Sequence, residues 1–259
     1  MCIAYLALSV HPDWPLFIAA NRDEFHARPC LAAAPWPAQP DIISGIDIRA
    51  GGTWLGVARS GRYALITNYR EPARVIDGAP SRGMLVSSYL QGTQTPQDYA
   101  HAVQAQGAAY NGFNLIVGDL TGACYAGNRA DQAQVRSLAP GRYVLSNHLL
   151  DTPWPKARRL RTSLDALPLE TLDQSLTPIF DALRDTTMAQ DADLPATGLP
   201  LARERLLSSP FIISDTYGTR CSSILAVHAD GHAIFSEASY DETGRQTQRH
   251  DWPFSISRG

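Results

Sequence analysis

Strand-like apolar runs occur in blocks along this chain, and the helical stretches fall between blocks rather than between single strands. CIAYLALSV, residues 2–10, is apolar at successive positions, the pattern of a strand buried on both faces. HPDWP then makes a short connection to a second run, LFIAANRD, so the two read as a hairpin. TWLGVARSGRYALITN forms another hairpin around Ser60-Gly61, and SSILAVHADGHAIFSEASY forms a last one around Asp230-Gly231. FNLIVGD, ACYAG and RYVLSNHL supply further strands. Residues 82–90 and 96–106, the latter with Thr95 as N-cap, have helical composition, as do KARRLRTSLDAL and LDQSLTPIFDAL. This order predicts an α+β fold of antiparallel sheets covered by helices, not a doubly wound parallel sheet. Two stretches resist assignment. The prolines of LAAAPWPAQP argue against a regular helix or a central strand. Residues 185–210 lack periodicity and read either as a flexible loop over a site or as a plain surface excursion.

The chain has 259 residues, 44% hydrophobic and 18% charged, which is enough for one large domain over residues 1–259 with a substantial core. A net charge of -3 with scattered arginines gives no basic face for nucleic acid. The apolar start is interrupted by His11, Pro12 and Asp13, too early to span a bilayer, and no basic segment precedes it, so a cytoplasmic location is expected. Cys2, Cys30, Cys124 and Cys221 form no CxxC pair, and free thiols are expected. The histidines form no pair at ligand spacing in the linear sequence, so no metal site and no required cofactor are predicted. Oligomeric state has no signature in the sequence.

Cys2 directly follows the initiator methionine. Removal of Met1 would put a thiol and a free α-amine on one residue, with ordinary pKa values of about 8.5 and 7.7–8.0, close enough for proton exchange near neutrality. A terminal amine can thus serve as the base that activates the nucleophile. The competing reading is a small buried hydrophobe in an apolar strand.

MCI at the start, NRDEF, GGTWLG, LITNYREP, SRGMLVSSYL, YNGFNLIVGD, LSNHLLDTPWPKAR and YGTRCSSIL together resemble the NRDE family, also called the transport and Golgi organisation protein 2 family. The matching blocks run in order through nearly the whole chain. That family is similar to the N-terminal nucleophile hydrolases, which implies a four-layer αββα sandwich. Within those hydrolases it is similar to the choloylglycine and penicillin V amidase group, in which an N-terminal Cys is followed by an Arg and an Asp at the end of the second strand.

Carried onto this sequence, the resemblance implies Cys2 as nucleophile, Arg22 as the cation lowering its pKa, and Asp23 as the acceptor that holds the α-amine. It implies Asn147 as oxyanion donor, with Asn68 ranked below it, and Arg220 as a second cation or a contact to a substrate carboxylate. Asn21, Glu24, Trp54 and Tyr69 are the accompanying candidates for substrate contact. One departure bears on the roles: Arg and Asp are two residues apart in the hydrolase pattern and adjacent here. In a regular strand adjacent side chains point to opposite faces, so Arg22 and Asp23 reach one thiol together only if the backbone bulges. The same charges also suit a buried ion-pair cluster tying strand ends together.

Two functions follow. One is hydrolysis of, or acyl transfer from, a linear C–N amide in a small molecule, through a Cys2 thioester. The other, implied by the family, is a non-catalytic carrier in haem mobilisation or in lipid and acyl-CoA metabolism, with haem as a ligand and an apolar cleft lined by residues such as Trp36, Trp54, Tyr69 and Trp154.

Overall fold

In the computed structural model, residues 2–129 and 135–257 are described; Met1, whose removal the sequence reading invokes, lies outside them. Thirteen strands among these residues form two antiparallel sheets. The first contains Cys2–Leu8 (β1), Leu16–Phe25 (β2), Gly141–Leu145 (β10), Tyr217–Val227 (β11), His232–Tyr240 (β12) and Gln246–Ser255 (β13), in the order β10-β1-β2-β11-β12-β13. The second is a meander of seven consecutive strands: Cys30–Trp36 (β3), Gln39–Asp47 (β4), Leu55–Ala58 (β5), Tyr63–Asn68 (β6), Phe113–Asp119 (β7), Gly122–Gly127 (β8) and Arg136–Leu138 (β9).

The period of two along β1 separates the layers. Ala4, Leu6 and Leu8 point toward the second sheet and pack with Leu55, Val57, Leu65 and Ile116. Ile3, Tyr5 and Ala7 point the other way, against Pro155–Asp165 (α3) and Thr177–Leu183 (α4), through Leu160, Leu164, Ile179 and Leu183. On the outer face of the meander, Gly83–Gln91 (α1) and Pro96–Ala105 (α2) contribute Leu85, Val86, Tyr89 and Val103 to a third core. The stacking is therefore α3/α4, six-stranded sheet, seven-stranded sheet, α1/α2: the expected αββα sandwich. Thr95 caps α2 as expected, its side chain accepting the Asp98 N–H.

Polar ties cross between the sheets as well. Glu237 on β12 accepts the Ala33 N–H of β3 at 2.7 Å and the Ser223 hydroxyl at 2.9 Å. Trp252 donates its indole N–H to the Ala33 carbonyl at 2.8 Å.

The proline-rich stretch LAAAPWPAQP, read as unsuited to a helix or a central strand, supplies most of β3, an edge strand, and the first two residues of β4. One expectation is corrected. Residues 185–210 are not a free loop: they hold a 3₁₀ turn at Asp191–Asp193 and a short helix, Leu201–Leu206 (α5). The Phe211 N–H meets the Asp185 carbonyl at 2.9 Å at the base of the segment, Arg205 pairs with Asp191, and Glu204 is buried against Arg70 with an N···O distance of 2.6 Å. A polar segment without apolar periodicity is held here by ion pairs, which periodicity does not register.

Candidate functional site

Cys2 and Arg22 are direct partners in the β1–β2 ladder, and that ladder keeps its register to the end of β1. Cross-strand partners share a face, so Arg22 and the Cys2 thiol both point between the sheets, as do Leu16, Ile18 and Ala20 before them. The pleat then sends Asn21 and Asp23 to the helix-covered face. The register shift lies not in β2 but across from it on β11, where Arg220 is the extra residue between Thr219, opposite Asp23, and Cys221, opposite Arg22. The adjacency of Arg22 and Asp23 is thus resolved without a bend in their own strand. Arg22 flanks the thiol on one side of the sheet, while Asp23 sits one residue beyond the last pair, at the open end of β1.

Cys2, half-buried, lies in a cleft of about 240 Å³ at this end of the sandwich. Arg22 is buried beneath the cleft, its guanidinium 4.2 Å from the Trp54 ring, 3.5 Å from Asp47 and 3.6 Å from the Cys30 sulfur. Arg28 completes the cluster at 2.7 Å from Asp47, with Glu24 at 3.8 Å. Asn68, at the end of β6, lines the same cleft from the second sheet, and Arg82, leading into α1, closes the rim with Nη1 donating to the Gly112 carbonyl at 2.8 Å. Burial pushes the Cys2 thiol above its ordinary value; the Asp23 charge adds to the rise, and Arg22 and the Asp23 backbone N–H pull against it without prevailing. Of the expected effects, the lowering by Arg22 is present and burial outweighs it.

Behind the strand ends is a second buried group that sequence reasoning did not single out. Lys156, in the first turn of α3, is fully buried and donates to Asn147 Oδ1 at 3.0 Å. Burial lowers its pKa to about 8 against the pull of Asp23. Burial raises the Asp23 carboxyl, with Lys156 the largest opposing influence, and the Thr219 hydroxyl donates to Asp23 Oδ1 at 2.8 Å. The available signal was a lysine just inside the N-terminus of an otherwise amphipathic helix, in the apolar surroundings of PWPKA.

The remaining candidates fall outside the cleft. Asn147 is buried, and its amide donates to the Asn68 backbone carbonyl at 3.0 Å; Asn68 lines the cleft and Asn147 does not. Asn21, expected at the substrate, instead donates to the carbonyls of Leu183 (2.7 Å) and Pro210 (3.0 Å) and accepts from the Ser222 hydroxyl, pinning the helix layer to β2. Arg220 spends Nη1 on the Phe25 and His26 carbonyls at 3.2 and 2.8 Å. Tyr69 packs on the His148 ring at 5.0 Å, away from the thiol. Of the substrate-contact candidates, Glu24, Trp54 and Asn68 line the cleft. Arg28, Asp47 and Arg82 are cleft residues that motif reading overlooked, because each comes from a loop or element end whose position only the packing of the two sheets defines.

No helix among the described residues is long and apolar enough to cross a membrane.

Comparison with known proteins places the chain. The family model described as Transport and Golgi organisation 2 matches residues 1–242. The chain is 37% identical to the transport and Golgi organization protein 2 homolog of Bos taurus, over 97% of this chain and 99% of that protein. It is 27% identical to transport and Golgi organization protein 2 of Drosophila melanogaster, over 92% and 91%. Among solved structures, the Caenorhabditis elegans N-acylethanolamine-hydrolyzing acid amidase ortholog aligns with a TM-score of 0.49 at 12% identity, covering 86% of this chain and 92% of that one. A mutant conjugated bile acid hydrolase from Clostridium perfringens aligns with a TM-score of 0.47 at 12% identity, over 97% and 92%. With the family model spanning most of its length and a relative above one-third identity end to end, this chain belongs to the transport and Golgi organisation 2 family.

Proposed function

We propose that this chain is a cytoplasmic cysteine amidohydrolase or acyltransferase acting on a linear C–N amide, with the Cys2 thiol as nucleophile once Met1 has been removed. The observation that carries the reading is the placement of a half-buried thiol directly opposite a buried Arg22 in a cleft whose other wall presents Asn68. While Met1 is attached, the Cys2 nitrogen is an amide with no basic lone pair, and burial keeps the thiol protonated. Removal of Met1 turns that nitrogen into an amine beside Asp23. The amine takes the thiol proton, sulfur attacks the carbonyl, and the Asn68 amide donates to the oxyanion. The protonated amine then passes its proton to the leaving nitrogen as the C–N bond breaks, and water or another acceptor attacks the thioester.

The test is the mass of the native protein together with the activity of its Cys2→Ala form on acyl amides. Loss of Met1, preferential alkylation of Cys2 over Cys30, Cys124 and Cys221, and inactivity of the variant support the reading. A retained methionine sinks it.

One observation favours a second reading, a non-catalytic carrier. Between α3 and α4 lies an apolar cavity of about 300 Å³, lined by Phe17, Leu164, Leu167, Leu169, Leu172 and Ile179. It has the dimensions and lining for an acyl chain, such as that of acyl-CoA. Its described lining offers none of the His, Cys, Met or Tyr axial ligands that hold haem iron, so it does not fit haem. A carrier keeps its ligand affinity in Cys2→Ala; a hydrolase loses turnover.

A further inference from the structure

Residues 72–80 read PARVIDGAP, which puts two β-branched residues, Val75 and Ile76, on a proline-bounded loop between β6 and α1. Neither joins a core. Val75 is 69% exposed and Ile76 39%, and the backbone holds them out: the Ile76 N–H donates to Asn111 Oδ1 at 2.8 Å, and Asn111 Nδ2 donates to the Ile76 carbonyl at 3.0 Å. Ile48, 54% exposed, follows Asp47 at the end of β4. Met84, 45% exposed, stands beside Gly51 in the first turn of α1, although Leu85 and Val86 next to it are buried.

These side chains share one end of the sandwich. The Ser81 hydroxyl donates to the Gly51 carbonyl at 3.4 Å and the Thr53 N–H to the Gly83 carbonyl at 3.2 Å, which ties the Ile48 loop to the start of α1. Arg82, on the Gly112 carbonyl, ties both to the Asn111 turn. Ala50, Gly51, Ala79, Ser81, Gly83 and Asn111 of the same loops line the Cys2 cleft, so the exposed apolar residues rim its mouth. Arginines are interleaved with them: Arg49 follows Ile48, Arg74 precedes Val75, and Arg82 is two residues before Met84. The neighbouring carboxylates are engaged elsewhere, Asp47 and Glu24 with Arg28 and Glu71 with Arg129, and Asp77 is the single acid of residues 72–80. Large apolar side chains exposed one at a time are ordinary. Four around one cleft, interleaved with arginines, have the composition of a surface that lies in a lipid interface.

We propose that this rim docks on a lipid surface bearing anionic headgroups. Ile48, Val75, Ile76 and Met84 enter the acyl boundary, and Arg49, Arg74 and Arg82 meet the headgroups. Charge complementarity selects that occupant over a second copy of the chain, because a two-fold contact would set the same arginines against one another. The docking stands apart from the reaction at Cys2. It opens the cleft onto the bilayer, so that a ligand with an acyl chain reaches it without crossing water.

The experiment is co-sedimentation of the full-length protein with vesicles of phosphatidylcholine containing about 30% phosphatidylserine, beside vesicles of phosphatidylcholine alone, at about 0.1 M and 0.5 M salt. Binding is expected to the anionic vesicles, weaker at the higher salt, and equal in the wild type and Cys2→Ala. Arg49→Gln and Arg74→Gln should each lower the partition about fivefold. Ile48→Ser, Val75→Ser and Met84→Ser combined should lower it more than about tenfold, with far-UV circular dichroism showing the fold intact. Leu120→Ser, an exposed site just beyond the end of β7 remote from the cleft, should change nothing. Absence of binding to the anionic vesicles, undiminished binding by the triple variant, or an equal loss in Leu120→Ser overturns the proposal. So does a dimer in sedimentation velocity that the triple variant dissociates, since a second copy then covers this face.

Discussion

Arg22 stands opposite Cys2 in the β1–β2 ladder with its guanidinium stacked 4.2 Å over Trp54, so the cation across the ladder from the thiol is fixed on three sides by an indole, a carboxylate and the strand itself. Because burial dominates at Cys2, alkylation of the Met1-bearing protein should rise only above the ordinary thiol range. Arg22→Ala removes an attraction for the thiolate and should push the profile to higher pH, slowing labelling at pH 8 by about tenfold for every pH unit that the profile moves. Arg22→Lys should move it less. Mass-resolved labelling across a pH series checks this, and an unchanged Arg22→Ala profile would contradict the placement.

Lys156 makes stability depend on alkaline pH. In the folded chain it releases its proton near 8, and in the unfolded chain at its ordinary 10.5. Between those values the unfolded state binds more protons, so wild-type stability rises with pH relative to Lys156→Met. The difference should move toward the wild type by on the order of 3 kcal/mol from pH 8 to pH 10.5. Paired urea denaturation curves at the two pH values measure it.

Glu204 anchors residues 185–210 through its buried pair with Arg70 and through contacts from the Thr197 N–H and hydroxyl. Glu204→Ala strands a buried guanidinium and should cost about 3–5 kcal/mol. Limited proteolysis should then cut within 185–210. Arg70→Met combined with Glu204→Leu should recover much of the loss, because no unpaired charge remains.

Gly52 adopts φ +76, and a Cβ there would come within 2.4 Å of the Gly83 carbonyl carbon at the start of α1. Gly78 has a similar φ of +73 with nothing within 4 Å. Gly78→Ala should therefore cost only the backbone strain of about 1–2 kcal/mol. Gly52→Ala should cost more and displace the α1 rim of the cleft; equal losses in thermal denaturation would show that the contact is unimportant.

The strand and helix blocks, apart from β3, β4, β9, β13 and α5, and the hairpins at Ser60-Gly61 and Asp230-Gly231 were legible in the sequence, because apolar periodicity and turn residues are local properties of the chain. Tertiary packing decided the rest. Whether Arg22 or Asp23 shares the thiol's face depended on the register of β1 against β2, which runs unbroken to Cys2 opposite Arg22, while the slip at Arg220 lies on the other side of β2, in its pairing with β11. The placement of Asn68 but not Asn147 in the cleft, the recruitment of Arg28, Asp47 and Arg82, and the burial of Lys156 beside Asp23 all arise where two sheets and a helix meet. The physical reason is range: strand and turn preferences act over a few neighbouring residues, whereas the field and solvation of a buried charge are set by whatever the fold brings against it.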